Sequence, residues 1–402
     1  MGTKKRKINY KRFIPFLIFV ILIFFGMIKI SKNAITKISE INKQDNMINI
    51  EETPQDTTIH MSVVGDIMCH LTNIKNAYNS TSKDYDFSNV FEDIEEYTQK
   101  ADITVGNLET TFAGASRGYT GYPTFNTPEV LGENLKDIGF DVLCTANNHS
   151  MDKGYSGVES TLNFLDKYEI DHMGTARSKE EQNDILVKDV NGIKIAFLAY
   201  TYGTNGITVP KDKSYCVNLI NKDLIKEHIS LAKEQKADII CVNMHWGLEY
   251  KLKQNTEQEK LADFLFENGV DIILGSHPHV LEPMEKREIT LADGTKKDGF
   301  VIYSLGNFIS GQIYANTKST VILDIQITKD SNNKITIDSV DYTPVYLNDA
   351  GKSSKSRKRY KLYDIEKEIE KYDKGESNIS KDLYNTLKIE LNNIRKNVGK
   401  EI

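Results

Sequence analysis

The chain has 402 residues, a net charge of −6 and an apolar fraction of 39%. That length is ample for a large buried core. The acidic balance, with no basic stretch interleaved with aromatics in the body of the chain, excludes a nucleic-acid surface of the usual electrostatic kind. It suits an extracellular surface and says little about substrate.

Lys4, Lys5, Arg6, Lys7, Lys11 and Arg12 make residues 1–12 a basic segment ahead of an apolar stretch over residues 13–30. As a helix that stretch covers roughly 24–27 Å, enough to cross a bilayer core with Lys29 and Lys32 reaching back to the interface. Positive charge ahead of the span predicts a cytoplasmic N-terminus and an exported remainder, the pattern of a single-pass signal-anchor in the cell membrane. A cleaved signal peptide is the competing reading, but Met27-Ile28-Lys29-Ile30 offers no small residue for cleavage. Residues 31–57, polar and closing on Glu51-Glu52-Thr53-Pro54, read as a tether.

The folded domain is expected over 58–350. A first strand starts at Ile59, and strands and helices then alternate. Helix Val90–Gln99 precedes strand Ala101–Val105, and helix Pro128–Ile138 precedes Asp141–Thr145. Helix Gly157–Tyr168 follows. Asn191-Gly192 between two apolar runs predicts a hairpin of Ile185–Val190 with Ile193–Tyr200. Helices Lys222–Gln235 and Glu257–Asn268 precede strands Ala237–Asn243 and Val270–Leu274. From Phe300 the pattern is strands alone: Phe300–Ser304, Thr320–Thr328 and Lys334–Tyr346. Alternation followed by antiparallel strands predicts an α/β sandwich with two sheets face to face. Residues 351–402, rich in Lys, Glu, Asp and Asn, are expected as charged surface helices. Cys69, Cys144, Cys216 and Cys241 match no disulfide or CxxC pattern and are expected as free, buried residues.

Chemistry concentrates at the ends of the apolar runs. Val63-Val64-Gly65-Asp66, Gly106-Asn107-Leu108-Glu109, Ala146-Asn147-Asn148-His149, Met244-His245-Trp246-Gly247 and Gly275-Ser276-His277-Pro278-His279 each close a strand-like stretch. Polar groups at the ends of buried strands are how α/β enzymes mount a site on a rigid scaffold. Carboxylate, amide oxygen and imidazole are also the donors that bind divalent metals. Asp66 is a hard ligand after a glycine that would permit a tight turn, or alternatively the cap of a following helix. Glu109 is placed to bridge two ions, and Asn107 to ligate or support a ligand. Asn148 offers a neutral oxygen, and His149 a proton for a leaving group. Asp152 can orient His149 or cap the next helix. His277 and His279, two residues apart, would point the same way in extended backbone, and His245 adds a third imidazole. His60, His172 and His228 have no supporting partners, and His70, four residues after Asp66, stands in reserve.

In this order the motifs resemble the capsule-synthesis CapA family, related to the poly-γ-glutamate synthesis protein PgsA. That family is a branch of the calcineurin-like metallophosphatase superfamily. The resemblance covers roughly residues 58–350. It rests on Gly65-Asp66, Gly106–Glu109, Asn147–Asp152, His245–Glu249, Ser276–His279 and Ser304-Leu305-Gly306-Asn307-Phe308. It implies a four-layer α-β-β-α sandwich with two divalent ions (Mn, Fe, Zn or Mg) between the sheets. Asp66 and His279 would hold one ion and Asn148, His245 and His277 the other, with Glu109 bridging and His149 as general acid. Met68 stands where the superfamily usually has a second histidine, and Asn107…Glu109 replaces the usual bridging aspartate. The implied role is a metal-dependent, hydrolase-like step in making, exporting or trimming an anionic polymer such as poly-γ-glutamate, with the membrane subunits of a polymer synthase as the implied partners. A non-catalytic polymer-binding subunit of such a complex and a general extracellular phosphoesterase are the alternatives.

Overall fold

The computed structural model describes residues 56–291, 294–351 and 358–399, with Pro15 alone ahead of them. The expected cytoplasmic segment, membrane span and tether therefore lie outside the described residues, apart from Pro15 and the last two tether positions. Among the described residues, no helix is long and apolar enough to cross a membrane.

In chain order the strands begin with β1 (Thr57–Ile67), a small hairpin of β2 (Tyr78–Asn79) and β3 (Asp84–Tyr85), β4 (Ile103–Leu108), β5 (Val142–Cys144) and β6 (Asp171–Met173). There follow β7 (Leu186–Val190), β8 (Ile193–Thr201), β9 (Ile239–His245), β10 (Ile272–Ser276), β11 (Met284–Thr290) and β12 (Lys296–Ile302). The last four are β13 (Asn307–Ile309), β14 (Ser319–Lys329), β15 (Ile335–Asp349) and β16 (Tyr360–Asp364). One sheet runs β16-β15-β14-β1-β4-β5-β6, with β13 paired to the end of β1; the other runs β11-β12-β10-β9-β8-β7. In each sheet the strands that carry the motif loops are parallel: β1, β4 and β5 in the first, β9 and β10 in the second.

Side-chain alternation sets the layers. Ile195 and Phe197 of β8 point into a core shared with Met61, Val63 and Val105 of the other sheet, so the two sheets pack face to face. Ala196 and Leu198, one residue out of phase, pack instead beneath Ile225 and Ile229 of helix Lys222–Glu234 and Leu265 of helix Thr256–Glu267. On the far face of the first sheet, Val64, Ile67 and Leu108 meet Ile74, Leu131 and Leu135 from helices Leu71–Ala77 and Val130–Asp137. The order is helices, sheet, sheet, helices. Strands buried on both faces read as unbroken apolar runs, which is why they were legible. The helices of the second layer start on side-chain caps. Asn221 accepts from the amides of Asp223 and Leu224, and Asn255 forms a capping box with Gln258.

The segment expected as charged surface helices differs from that expectation in two ways. Residues 360–364 form a strand, since Tyr360, Leu362 and Asp364 alternate inward and pair β16 with the end of β15. The helix Lys381–Val398 is charged outside but drives Leu387, Ile394 and Val398 into the core between the sheets. The described residues from Asp56 onward thus pack as one compact unit. All four cysteines are free and buried, as expected.

Candidate metal centre

All five motif loops emerge at the carboxyl ends of parallel strands, and the face-to-face packing of the sheets points them at one another. Two glycines permit the close approach. A Cβ on Gly65 would stand 2.0 Å from the Gly306 carbonyl oxygen, and one on Gly275 would stand 1.9 Å from that of Tyr303. Gly65 is thus required for contact with a neighbouring backbone, not for the tight turn its sequence context suggested. Past Gly65 the β1–β4 register shifts, so that Asp66 falls opposite Asn107. Such an irregularity beside a site re-aims the side chain that follows it.

Asp66 does not cap a helix. Its carboxylate accepts from Asn107 Nδ2 at 2.8 Å and lies 3.2 Å from His279 Nδ1. The same Nδ1 is 3.1 Å from Asn307 Oδ1, which leaves His279 Nε2 directed at Glu109 Oε1, 3.8 Å away. His245 is held in the same manner. Its Nδ1 meets Ser276 Oγ at 3.0 Å, and its Nε2 faces Asn148 Oδ1 at 2.9 Å and Glu109 Oε1 at 3.6 Å. Polar partners on one ring nitrogen fix the ring and present the other to a metal. His277 packs against Tyr202 with ring centres 4.6 Å apart and planes tilted by 48°, and its Nδ1 has no hydrogen-bond partner.

The extended backbone expected at His277 and His279 is not found. Both are left-handed, with φ of 97° and 60°. Non-glycine residues hold such angles at a cost of order 1–3 kcal/mol, and only where the surroundings impose them. The turn brings the two rings to 5.8 Å centre to centre at 60° to each other, directing them to different parts of the same cavity.

Donor atoms of Glu109, His245 and His277 lie within 4.8 Å of one another, as do those of Asp66, Glu109 and His279, and those of Glu249, His277 and His279. Glu109 is the hinge between the first two groups. It is fully buried, yet neither carboxylate oxygen has a hydrogen-bond partner. Burial, and then the charges of Asp66, Glu249 and Asp152, push its carboxyl well above the usual range. Burial, reinforced by the neighbouring imidazoles, lowers His245 far below its ordinary value and His277 to about 3. Ring nitrogens of three histidines converging on a buried carboxyl group that has no hydrogen-bond partner are the donors of a cation site, so the donor set fits divalent ions.

Asn107 sits inside the cluster as a brace, donating to Asp66 and accepting from Asn147 Nδ2 at 3.4 Å. Asn147 Nδ2 also donates to the Leu108 carbonyl at 2.8 Å. His149 stands at the edge of the cavity. Its Nδ1 is 2.7 Å from Asp152 Oδ2, which also accepts from the Phe125 amide at 2.6 Å. Asp152 therefore orients His149 instead of capping the following helix, whose N-cap is Gly154. His149 Nε2 lies 3.4 Å from Asn205 Nδ2, and Asn205 Oδ1 accepts from Asn148. His70 is engaged elsewhere, its Nδ1 accepting from the Gly311 amide.

Asn205, Ser276, Asn307, Tyr202 and Glu249 were not assigned from sequence. Ser276, Glu249 and Asn307 lie inside the motifs quoted above, which was the available signal. Asn205 and Tyr202 lie on a loop with no pattern of its own.

The sequence profile of the family described as "Bacterial capsule synthesis protein PGA_cap" matches residues 60–312, a span that contains every residue of this cavity. The chain belongs to that family. Among PGA_cap relatives, the "Capsule biosynthesis protein CapA" of Bacillus anthracis is 31% identical over 283 residues, covering 68% of this chain and 65% of that protein. The "PGA biosynthesis protein CapA" of Bacillus subtilis is 30% identical over 293 residues, covering 72% of this chain and 73% of that protein. The chain thus spans a little under two thirds of the first relative. Among solved structures, it is similar to an NAD nucleotidase of Haemophilus influenzae (TM-score 0.46, 14% identity, 86% of this chain and 64% of that one). It is also similar to a putative 5′-nucleotidase of Staphylococcus aureus (TM-score 0.45, 15% identity, 72% and 54%).

Proposed function

We propose that this chain is a metal-dependent, hydrolase-like factor acting in the synthesis, export or processing of capsular poly-γ-glutamate or a similar anionic polymer. The observation that carries the metal is Glu109, fully buried with both oxygens unpartnered among three imidazoles. The polymer is supported by the names of the two Bacillus relatives, capsule and PGA biosynthesis proteins. Asp66 and His279 would hold one ion, His245, His277 and Asn148 the second, and Glu109 both, as in the metallophosphatase superfamily. Mixed nitrogen and oxygen donors favour Mn, Fe or Zn over Mg. Bound divalent ions supply Lewis acidity and activate water.

The chain's own residues do the rest. Asn107, Asn307 and Ser276 hold the ligating side chains in their orientation. Asp152 keeps a proton on His149 Nδ1 and leaves Nε2 facing the cavity, where a second proton, once taken up, is positioned for a leaving atom. In the test, His277→Ala combined with His279→Ala loses most bound metal by elemental analysis and fails to restore polymer in cells lacking the protein. Unchanged metal content in that variant would sink the site.

The placement we propose is a single-pass anchor through residues 13–30 with the domain outside the cell, beside the polymer and the membrane subunits that make it. Its support is the basic N-terminal segment ahead of an apolar span. Protease added to intact cells is expected to remove the domain, and full protection would overturn this topology.

A further inference from the structure

The third donor group, Glu249 with His277 and His279, has no place in the ligand set just given. Glu249 lies on the loop between β9 and helix Thr256–Glu267, and it is exposed where Glu109 is buried. The two carboxylates therefore approach the paired histidines from different depths, Glu109 from the floor of the cavity and Glu249 from its mouth.

The loop is built to hold that position. Gly247 on one side of Leu248-Glu249 is left-handed, with φ of 84°, and packs so tightly on Gln258 that a Cβ would meet its side chain at 2.8 Å. Gln258 is itself locked, donating to the buried Glu282 carboxylate at 2.7 Å and accepting from the Asn255 amide at 2.9 Å. On the other side Tyr250 is also left-handed, with φ of 63°, and its amide donates to the Pro278 carbonyl at 2.8 Å, between the two histidines. Its ring packs on Tyr314 at 4.7 Å, and its hydroxyl accepts from Gln312 Nε2 at 3.2 Å. Tyr250 is a non-glycine residue held left-handed directly beside the exposed carboxylate, and its amide ties the loop to the histidine turn, a strained position that the surface alone would not require. Independently, His277 Nδ1 and both Glu109 oxygens are buried beside it without a hydrogen-bond partner.

From this geometry we infer that Glu249 is a further metal ligand, supplying a carboxylate oxygen from the mouth of the cavity to the ions held by His277 and His279. With Asp66 and Glu109 it makes three carboxylates among neutral imidazoles, so a pair of divalent ions is left with one net positive charge instead of two. Glu249 thereby tightens metal binding and moderates the pull on anionic groups entering the site.

The inference rests on the metal reading above, and the test separates the two. Mn²⁺ is titrated calorimetrically into the metal-free full chain, with bound Mn²⁺ counted by paramagnetic resonance. Glu249→Gln is expected to weaken Mn²⁺ binding roughly 10–100-fold, the scale seen when a group supporting a metal is removed. Leu248→Ala, an exposed neighbour on the same loop, leaves it unchanged. A Glu249→Gln isotherm matching that of wild type, with wild type binding Mn²⁺, overturns the role of Glu249 alone. A wild-type chain that takes up no Mn²⁺ overturns the metal reading and this inference together.

Discussion

Glu109→Gln is expected to unfold at a higher temperature than wild type when both are metal-free, and to lose most of the stabilisation that Mn²⁺ or Zn²⁺ is expected to confer on wild type. The first half follows from burial. A carboxylate with two unpartnered oxygens, beside Asp66 and near Asp152, is a charge taken out of water with nothing to compensate it. Its carboxyl is raised above the unfolded value, so the native state binds more protons than the unfolded one. Stability therefore falls as pH rises from the unfolded-state value toward the raised native one. The amide carries no charge and removes that pH-dependent loss; the gain near neutral pH is on the order of 1–3 kcal/mol. The second half follows from linkage, since a ligand bound only by the folded state stabilises by about 2.7 kcal/mol at a hundred times its dissociation constant. Thermal melts of both proteins with and without metal check both halves. A metal-free variant less stable than wild type, or one with an undiminished metal shift, contradicts the role assigned to Glu109.

His149→Ala separates an enzyme from an assembly subunit. His149 reaches the cavity edge through Nε2 and is steered by Asp152, but it lies outside all three groups of clustered donors. Its loss is expected to leave metal content unchanged and to lower turnover roughly 10²–10⁴-fold, the contribution of one positioned proton donor. Asn148→Ala, one residue away, is expected to lower metal content instead, because its Oδ1 faces His245 Nε2 at 2.9 Å. The measurement is polymer production restored to cells lacking the protein, alongside metal analysis. Full restoration by His149→Ala, with failure of the variant lacking His277 and His279, would show that the metal serves structure and the chain serves assembly.

The contrast between Asn148 and Glu249 shows how far the sequence reaches. Asn148 stands in a run of polar groups, Asn147-Asn148-His149, just after the apolar stretch Val142-Leu143-Cys144, which reads as a strand buried on both faces, so these groups stand at a sheet end. The same reasoning located Asp66, Asn107, Glu109, His245, His277 and His279. It also recovered β9, β10 and the hairpin at Asn191-Gly192, because burial, period and turn chemistry are local properties of the chain. Glu249 also follows its strand by four residues, but it is a single exposed acid on a loop whose course depends on Gln258, Glu282 and Pro278. Likewise Ser276 reaches His245 only because β9 and β10 pair in that register, and Asn107 reaches Asp66 only past the shift in β1. The left-handed turn at His277 and His279 and the inward face of helix Lys381–Val398 also required the assembled fold. Residue type and position at a strand end are written in the sequence. Distances between side chains tens to hundreds of residues apart are set by strand register, sheet packing and strained loops, and these are properties of the whole core.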